Sequence, residues 1–169
     1  GQDNTSVGRS ALQNNTIGGT NSAFGAYTLQ NNTTGGSNNA FGRFALRANS
    51  SGYQNSAFGN YALRYNVVGN NNTAVGYASL YSNTTNNNSA FGYKALNANT
   101  IGTNNNAFGF NSLLSNTTGT FNNAFGRSAL QNNTIGIYNS SFGHYALAAN
   151  TTGISNTAVG YKAISNNTI

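Results

Sequence analysis

The sequence predicts an all-β fold: a parallel β-solenoid (β-roll) of ten 17-residue coils running through residues 1–169 as a single repeat domain. Three observations carry this. Glycines at Gly8, Gly25, Gly42, Gly59, Gly76, Gly92, Gly109, Gly126, Gly143 and Gly160 recur every 17 residues, with one 16-residue step from Gly76 to Gly92. Two asparagine columns hold the same phase in all ten units. A leucine column does so too, and a unit this short cannot bury its own apolar face, so each must stack on its neighbours.

The first asparagine column lies four residues before each phase glycine: Asn4, Asn21, Asn38, Asn55, Asn72, Asn88, Asn105, Asn122, Asn139 and Asn156. The second lies seven after it: Asn15, Asn32, Asn49, Asn66, Asn83, Asn99, Asn116, Asn133, Asn150 and Asn167. Amides stacked at roughly 4.8 Å can donate and accept along the stack, so both columns are expected to be structural ladders at coil corners. Ten such coils make a rod on the order of 50 Å long.

The core stripe stands four after the glycine, from Leu12 through Leu29 and Leu147 to Ile164. Just before the glycine come Phe24, Phe41, Phe58, Phe91, Phe108, Phe125 and Phe142, with Val7, Val75 and Val159 in the other units, each preceded by Ala or Ser. Neighbours in a strand face opposite ways, so a large column beside a small one predicts that both strand faces are covered. One face serves the solenoid core, and the Phe column is the candidate oligomer interface.

One strand is expected at the S-A-F segment and a second near A-L or the segment after it, with corners at G-x-x and N-T-T-G-x-x. Two glycines per unit and the Asn-rich turns oppose a helix. The second glycine column (Gly18, Gly35, Gly52, Gly69, Gly102, Gly119, Gly136, Gly153) is expected to supply positive φ at a corner. Asn86 is expected to replace glycine in the short unit, Asn being tolerant of left-handed backbone.

Segments such as Asn72-Thr-Ala-Val-Gly76-Tyr and Asn156-Thr-Ala-Val-Gly160-Tyr resemble, over the whole chain, the YadA-like head repeats of trimeric autotransporter adhesins and related phage tail-fibre repeats. The unit here is a 17-residue variant of a repeat that is usually 14 residues long. The resemblance implies a left-handed coil, a side-by-side homotrimer, and an extracellular place on a cell surface or virion. It implies a structural or adhesive role, with self as partner and cell-surface glycans or matrix as further partners. The expected alternatives are a filament subunit stacking end to end and an ice-binding solenoid using its Thr columns. Gly1 in place of an initiator Met, and Ile169 where the next unit-closing glycine is due, give the expectation of a part of a longer fibre.

Composition argues against chemistry. Asp3 is the one acidic residue and His144 the one histidine, so neither a carboxylate pair nor a Ser-His-acid set can be assembled. Cysteine is absent, which removes thiolate metal sites and disulfides. A non-enzyme without cofactor or metal is therefore expected, and no stretch is apolar enough to be a transmembrane helix. The net charge of +6 reflects missing acids more than a dense basic patch, which argues against nucleic acid as a partner. The densest group, Arg43, Phe44, Arg47, Tyr61, Arg64 and Tyr65, is the candidate glycan-binding patch, since stacking would set Arg47 beside Arg64 and Phe44 beside Tyr61.

Overall fold

The computed structural model describes residues 1–169. Ten three-residue strands form one parallel sheet in chain order: β1 (Thr5–Val7), β2 (Ser22–Phe24), β3 (Asn39–Phe41), β4 (Ser56–Phe58), β5 (Thr73–Val75), β6 (Ser89–Phe91), β7 (Asn106–Phe108), β8 (Asn123–Phe125), β9 (Ser140–Phe142) and β10 (Thr157–Val159). Register follows the repeat: Ala40 pairs with Ala57 and Phe41 with Phe58. The chain is thus a β-solenoid of stacked coils, without a helix.

Only one strand forms per coil. The expected second strand forms neither at A-L nor in the segment after it, and A-L is instead a turn, because the leucine takes a left-handed backbone, φ 49° at Leu46 and 50° at Leu96. The residue two places before it is left-handed as well, φ 63° at Phe44 and 53° at Lys94. Stacking continues through these turns all the same. Of 113 backbone hydrogen bonds only 18 lie within the strands, so most of the coil-to-coil pairing is made by turn residues, such as Leu46 N–H to the Ala62 carbonyl at 3.0 Å.

The core is thin. On each strand the middle residue, alanine or serine, points inward and the phenylalanine or valine after it outward, so Ala23, Ala40 and Ala57 are fully buried together with Leu29, Leu46 and Leu63. A left-handed backbone costs a non-glycine residue about 1–2 kcal/mol, and burying a leucine returns about 1.5–3 kcal/mol. Leucine at this place therefore trades backbone strain for core volume. Leu96→Ala keeps the strain and loses the volume, and is expected to cost about 2–5 kcal/mol in urea unfolding. Leu96→Gly relieves the strain and is expected to cost no more than the alanine variant despite its smaller side chain. A clearly larger loss for glycine would contradict the strain assignment.

Sixteen of the twenty column asparagines lie inside the coil, fully buried, and not at exposed corners; Asn4, Asn15, Asn156 and Asn167, in the terminal coils, are half-buried. In the first column Asn38 Nδ2 and backbone N–H both donate to Asn21 Oδ1, at 3.1 and 3.0 Å. In the second, Asn49 Nδ2 donates to Asn32 Oδ1 at 2.7 Å and also to the Gly52 carbonyl. That same carbonyl accepts Asn38 Nδ2 at 2.8 Å, so the two ladders converge on the second glycine of each unit. Buried amides so paired escape the penalty of unsatisfied polar groups.

This convergence corrects the expected role of the second glycine column. Its members do not have positive φ; the left-handed glycines are those of the phase column, φ 134° at Gly42. A Cβ on Gly52 would run into Asn49 Oδ1 and the Gly69 carbonyl of the next coil. Close approach, not conformational freedom, selects glycine there. The lapse in the short unit is also relocated. Asn72 Nδ2 and Asn83 Nδ2 both donate to the Thr85 carbonyl, at 2.6 and 2.8 Å, so Thr85 occupies the glycine's place. Asn86 stands one step on, accepting Asn70 N–H just as Asn70 accepts Tyr53 N–H. The missing residue therefore falls between Asn83 and Thr85. There the first ladder loses its amide rungs, since Asn88 Nδ2 turns to Asn83 Oδ1, while the second runs on through Asn99.

Candidate functional site

All seven basic residues stand one, two or five places after a phase glycine: Arg9, Arg43, Arg127, Lys94, Lys162, Arg47 and Arg64. The coil maps these places onto the wall between the glycine column and the second asparagine ladder. Eight of the ten tyrosines share it, as do Phe44 and Phe110. Charges scattered in the sequence thus become one basic and aromatic wall.

The rings stack at about the coil spacing. Tyr27, Phe44 and Tyr61 form one run, with centroids 5.1 and 5.4 Å apart. Tyr77, Tyr93 and Phe110 form another, one place earlier in the repeat, at 5.5 and 5.1 Å. Where the runs meet, Tyr61 and Tyr77 pack edge to face at 73°. Each such pair adds about 0.5–1.5 kcal/mol to coil stacking beyond the area it buries.

The six residues of the expected glycan patch are brought together. Arg43, Arg47 and Arg64 lie 4.5, 5.4 and 5.1 Å from the Phe44 ring, and Arg64 also lies over Tyr61 and Tyr65. Arg47 is tied by its Nε to Gln30 Oε1 at 2.9 Å. Arg64 donates from Nη1 to the Tyr81 hydroxyl at 3.1 Å, while its buried Nε has no partner. Burial pushes the Tyr81 phenol above its ordinary pKa; the Tyr65 side chain adds to the rise and Arg64 opposes it.

Beside this group lies a surface groove of about 290 Å³, lined by Tyr61, Arg64, Tyr77, Ala78, Tyr81, Lys94 and Asn97. Five of these residues were not legible as a site from the sequence pattern. The available signal was Ala78, a small residue in a place held by Tyr61 in the preceding coil and by Lys94 in the next.

The remaining candidates are distributed along the rod. The Phe column forms an outward ladder in two runs, Phe24-Phe41-Phe58 and Phe91-Phe108-Phe125-Phe142, with centroids 4.6–5.2 Å apart. Phe58 is 39% and Phe142 43% exposed. In the Thr column the hydroxyls donate to the carbonyl of the following coil, as Thr100 Oγ1 does to Thr117 at 3.0 Å and Thr134 Oγ1 to Thr151 at 3.0 Å. Asp3 and His144 are exposed, in the first and ninth coils. No helix is long and apolar enough to cross a membrane. No protein-family model, curated protein or solved structure matches the chain.

Proposed function

We propose that this chain is the non-catalytic repeat region of an extracellular bacterial surface fibre or phage tail fibre, packed side by side with copies of itself as a homotrimer. The observation that carries the reading is the outward phenylalanine ladder on the one β-sheet. Small residues fill the inner face of each strand, so the large apolar residues on its outer face are surplus to the solenoid's own core. A partly exposed apolar strip, two phenylalanine runs joined through Val75, marks an interaction surface, and strips on identical rods match one another in length and period. The resemblance of the Asn-Thr-Ala-Val-Gly-Tyr segments to adhesin head repeats supports the same arrangement.

Ice binding is the weaker reading, because the hydroxyl protons of the fuller Thr column, the one directly after the second asparagine, are already committed to backbone carbonyls. End-to-end polymerisation makes a different prediction. Replacing Phe58 and Phe91 by Ser removes two apolar contacts per chain, each contributing about 1.5–3 kcal/mol when buried. The double variant is expected to sediment as a monomer with unchanged far-ultraviolet circular dichroism. Retention of the wild-type mass would overturn the lateral interface and favour contacts at the coil ends.

A further inference from the structure

We propose that the groove at Ala78 is a binding site for a carboxylated sugar residue of an acidic saccharide. The groove has a simple origin: the column carries only a methyl group at Ala78, directly between the large side chains Tyr61 and Lys94. Along the runs Tyr27-Phe44 and Tyr77-Tyr93-Phe110 the rings cover one another's faces in parallel stacks. Here the parallel stacking breaks, Tyr61 and Tyr77 meet edge to face, and the gap gives a sugar's C–H face access to aromatic surface.

The polar lining is cationic and phenolic. Arg64 and Lys94 line the groove, and with Asp3 as the chain's lone acidic residue, neither has a carboxylate from within the chain. The one side-chain hydrogen bond of Arg64 goes to the neutral Tyr81 hydroxyl, so a ligand carboxylate would be the only countercharge of its guanidinium. The Tyr81 hydroxyl and the Asn97 amide offer partners for sugar hydroxyls, and the volume lies at the small end of ligand pockets. Charge spacing argues against a polyphosphate. A nucleic acid strand presents a phosphate about every 3.4 Å, whereas most coils here bring one cation or none to the wall. An acidic polysaccharide, with one carboxylate per sugar or per disaccharide, fits that sparser spacing.

This inference concerns a different wall from the Phe ladder and does not require lateral assembly. The test uses titration calorimetry with trigalacturonate, and with galactotriose as its uncharged counterpart. Ala78→Tyr refills the gap, and the fold accepts it, since Tyr27, Tyr61 and Tyr145 occupy the same place with φ 61°, 65° and 57°, against 53° at Ala78. Arg64→Gln removes the charge without filling the groove. Saturable binding of trigalacturonate is expected, weakened about tenfold or more in each variant and for galactotriose, with the molar mass of the protein unchanged. No saturable binding to the wild type, undiminished binding to Ala78→Tyr or Arg64→Gln, equal affinity for galactotriose, or displacement of trigalacturonate by a thymidine hexanucleotide would each overturn it.

Discussion

Replacing Asn116 by Asp is expected to destabilise the solenoid by about 3–5 kcal/mol at pH 7, as burial of an uncompensated charge does. Asn116 is fully buried, donates from Nδ2 to Asn99 Oδ1 at 2.8 Å and to the Gly119 carbonyl at 3.0 Å, and accepts Asn133 Nδ2 at 2.8 Å. A carboxylate keeps the acceptor but turns an oxygen toward two acceptors. Desolvation and that repulsion both disfavour the ionised form, so the folded-state pKa of the new acid is raised above its unfolded value of about 3.9. The sign follows: below that value both states are protonated and the ionisation penalty is absent, and the penalty grows as pH rises through it. Urea unfolding at pH 3 and pH 7 reads the difference. Equal losses at the two pH values would show that the ladder amide is not enclosed as described. Asn132→Asp, one residue from the ladder and exposed, is expected to change stability by less than about 0.5 kcal/mol.

Gly119→Ala is expected to be of similar severity, about 3–5 kcal/mol, from overpacking and the displacement of buried hydrogen bonds together. Its Cβ would meet the Gly136 carbonyl of the following coil and Asn116 Oδ1, and neither is the free end of a flexible side chain. The backbone of Gly119 is not left-handed, so the effect is steric alone. Gly36→Ala is the matched control. Its nearest neighbour would be the Gly19 carbonyl at 3.1 Å, and Tyr53 fills the same place one coil on. Comparable losses for the two variants would contradict the convergence of both ladders on the Gly119 carbonyl.

The architecture was legible in the sequence because stacked coils force chemical identity at fixed intervals. The Leu column, the two Asn columns and the alternation of small and large residues on the strand each announce a place in the coil. What periodicity does not announce is the reason for an identity. Leu46 looks like a strand residue by its neighbours, yet it sits in a left-handed turn, and pattern reading assigns left-handed turns to glycine. The pattern assigns Gly52 to a turn, yet glycine is there because the Asn49 Oδ1 and the Gly69 carbonyl leave no room for a Cβ. The short unit shows the same limit, since a missing residue can be placed on either side of Asn83 until hydrogen bonds identify Thr85 as the one in the glycine's place.

The site was legible in part for a related reason. Arg43, Phe44, Arg47, Tyr61, Arg64 and Tyr65 lie in adjacent units at related offsets, so stacking two coils on paper already assembles them. The groove beside them depends on a side chain that is absent, and Ala78 attracts no notice until it is set between its column neighbours Tyr61 and Lys94. The basic wall was concealed likewise, because cations spaced far apart along the chain share one face only after the coil is formed.

Solution molar mass, measured by light scattering across a wide range of protein concentrations, tests the lateral assembly of the Phe ladder most directly. The account predicts a fixed mass of three chains throughout. A steady monomer, or a mass that climbs with concentration, would contradict it.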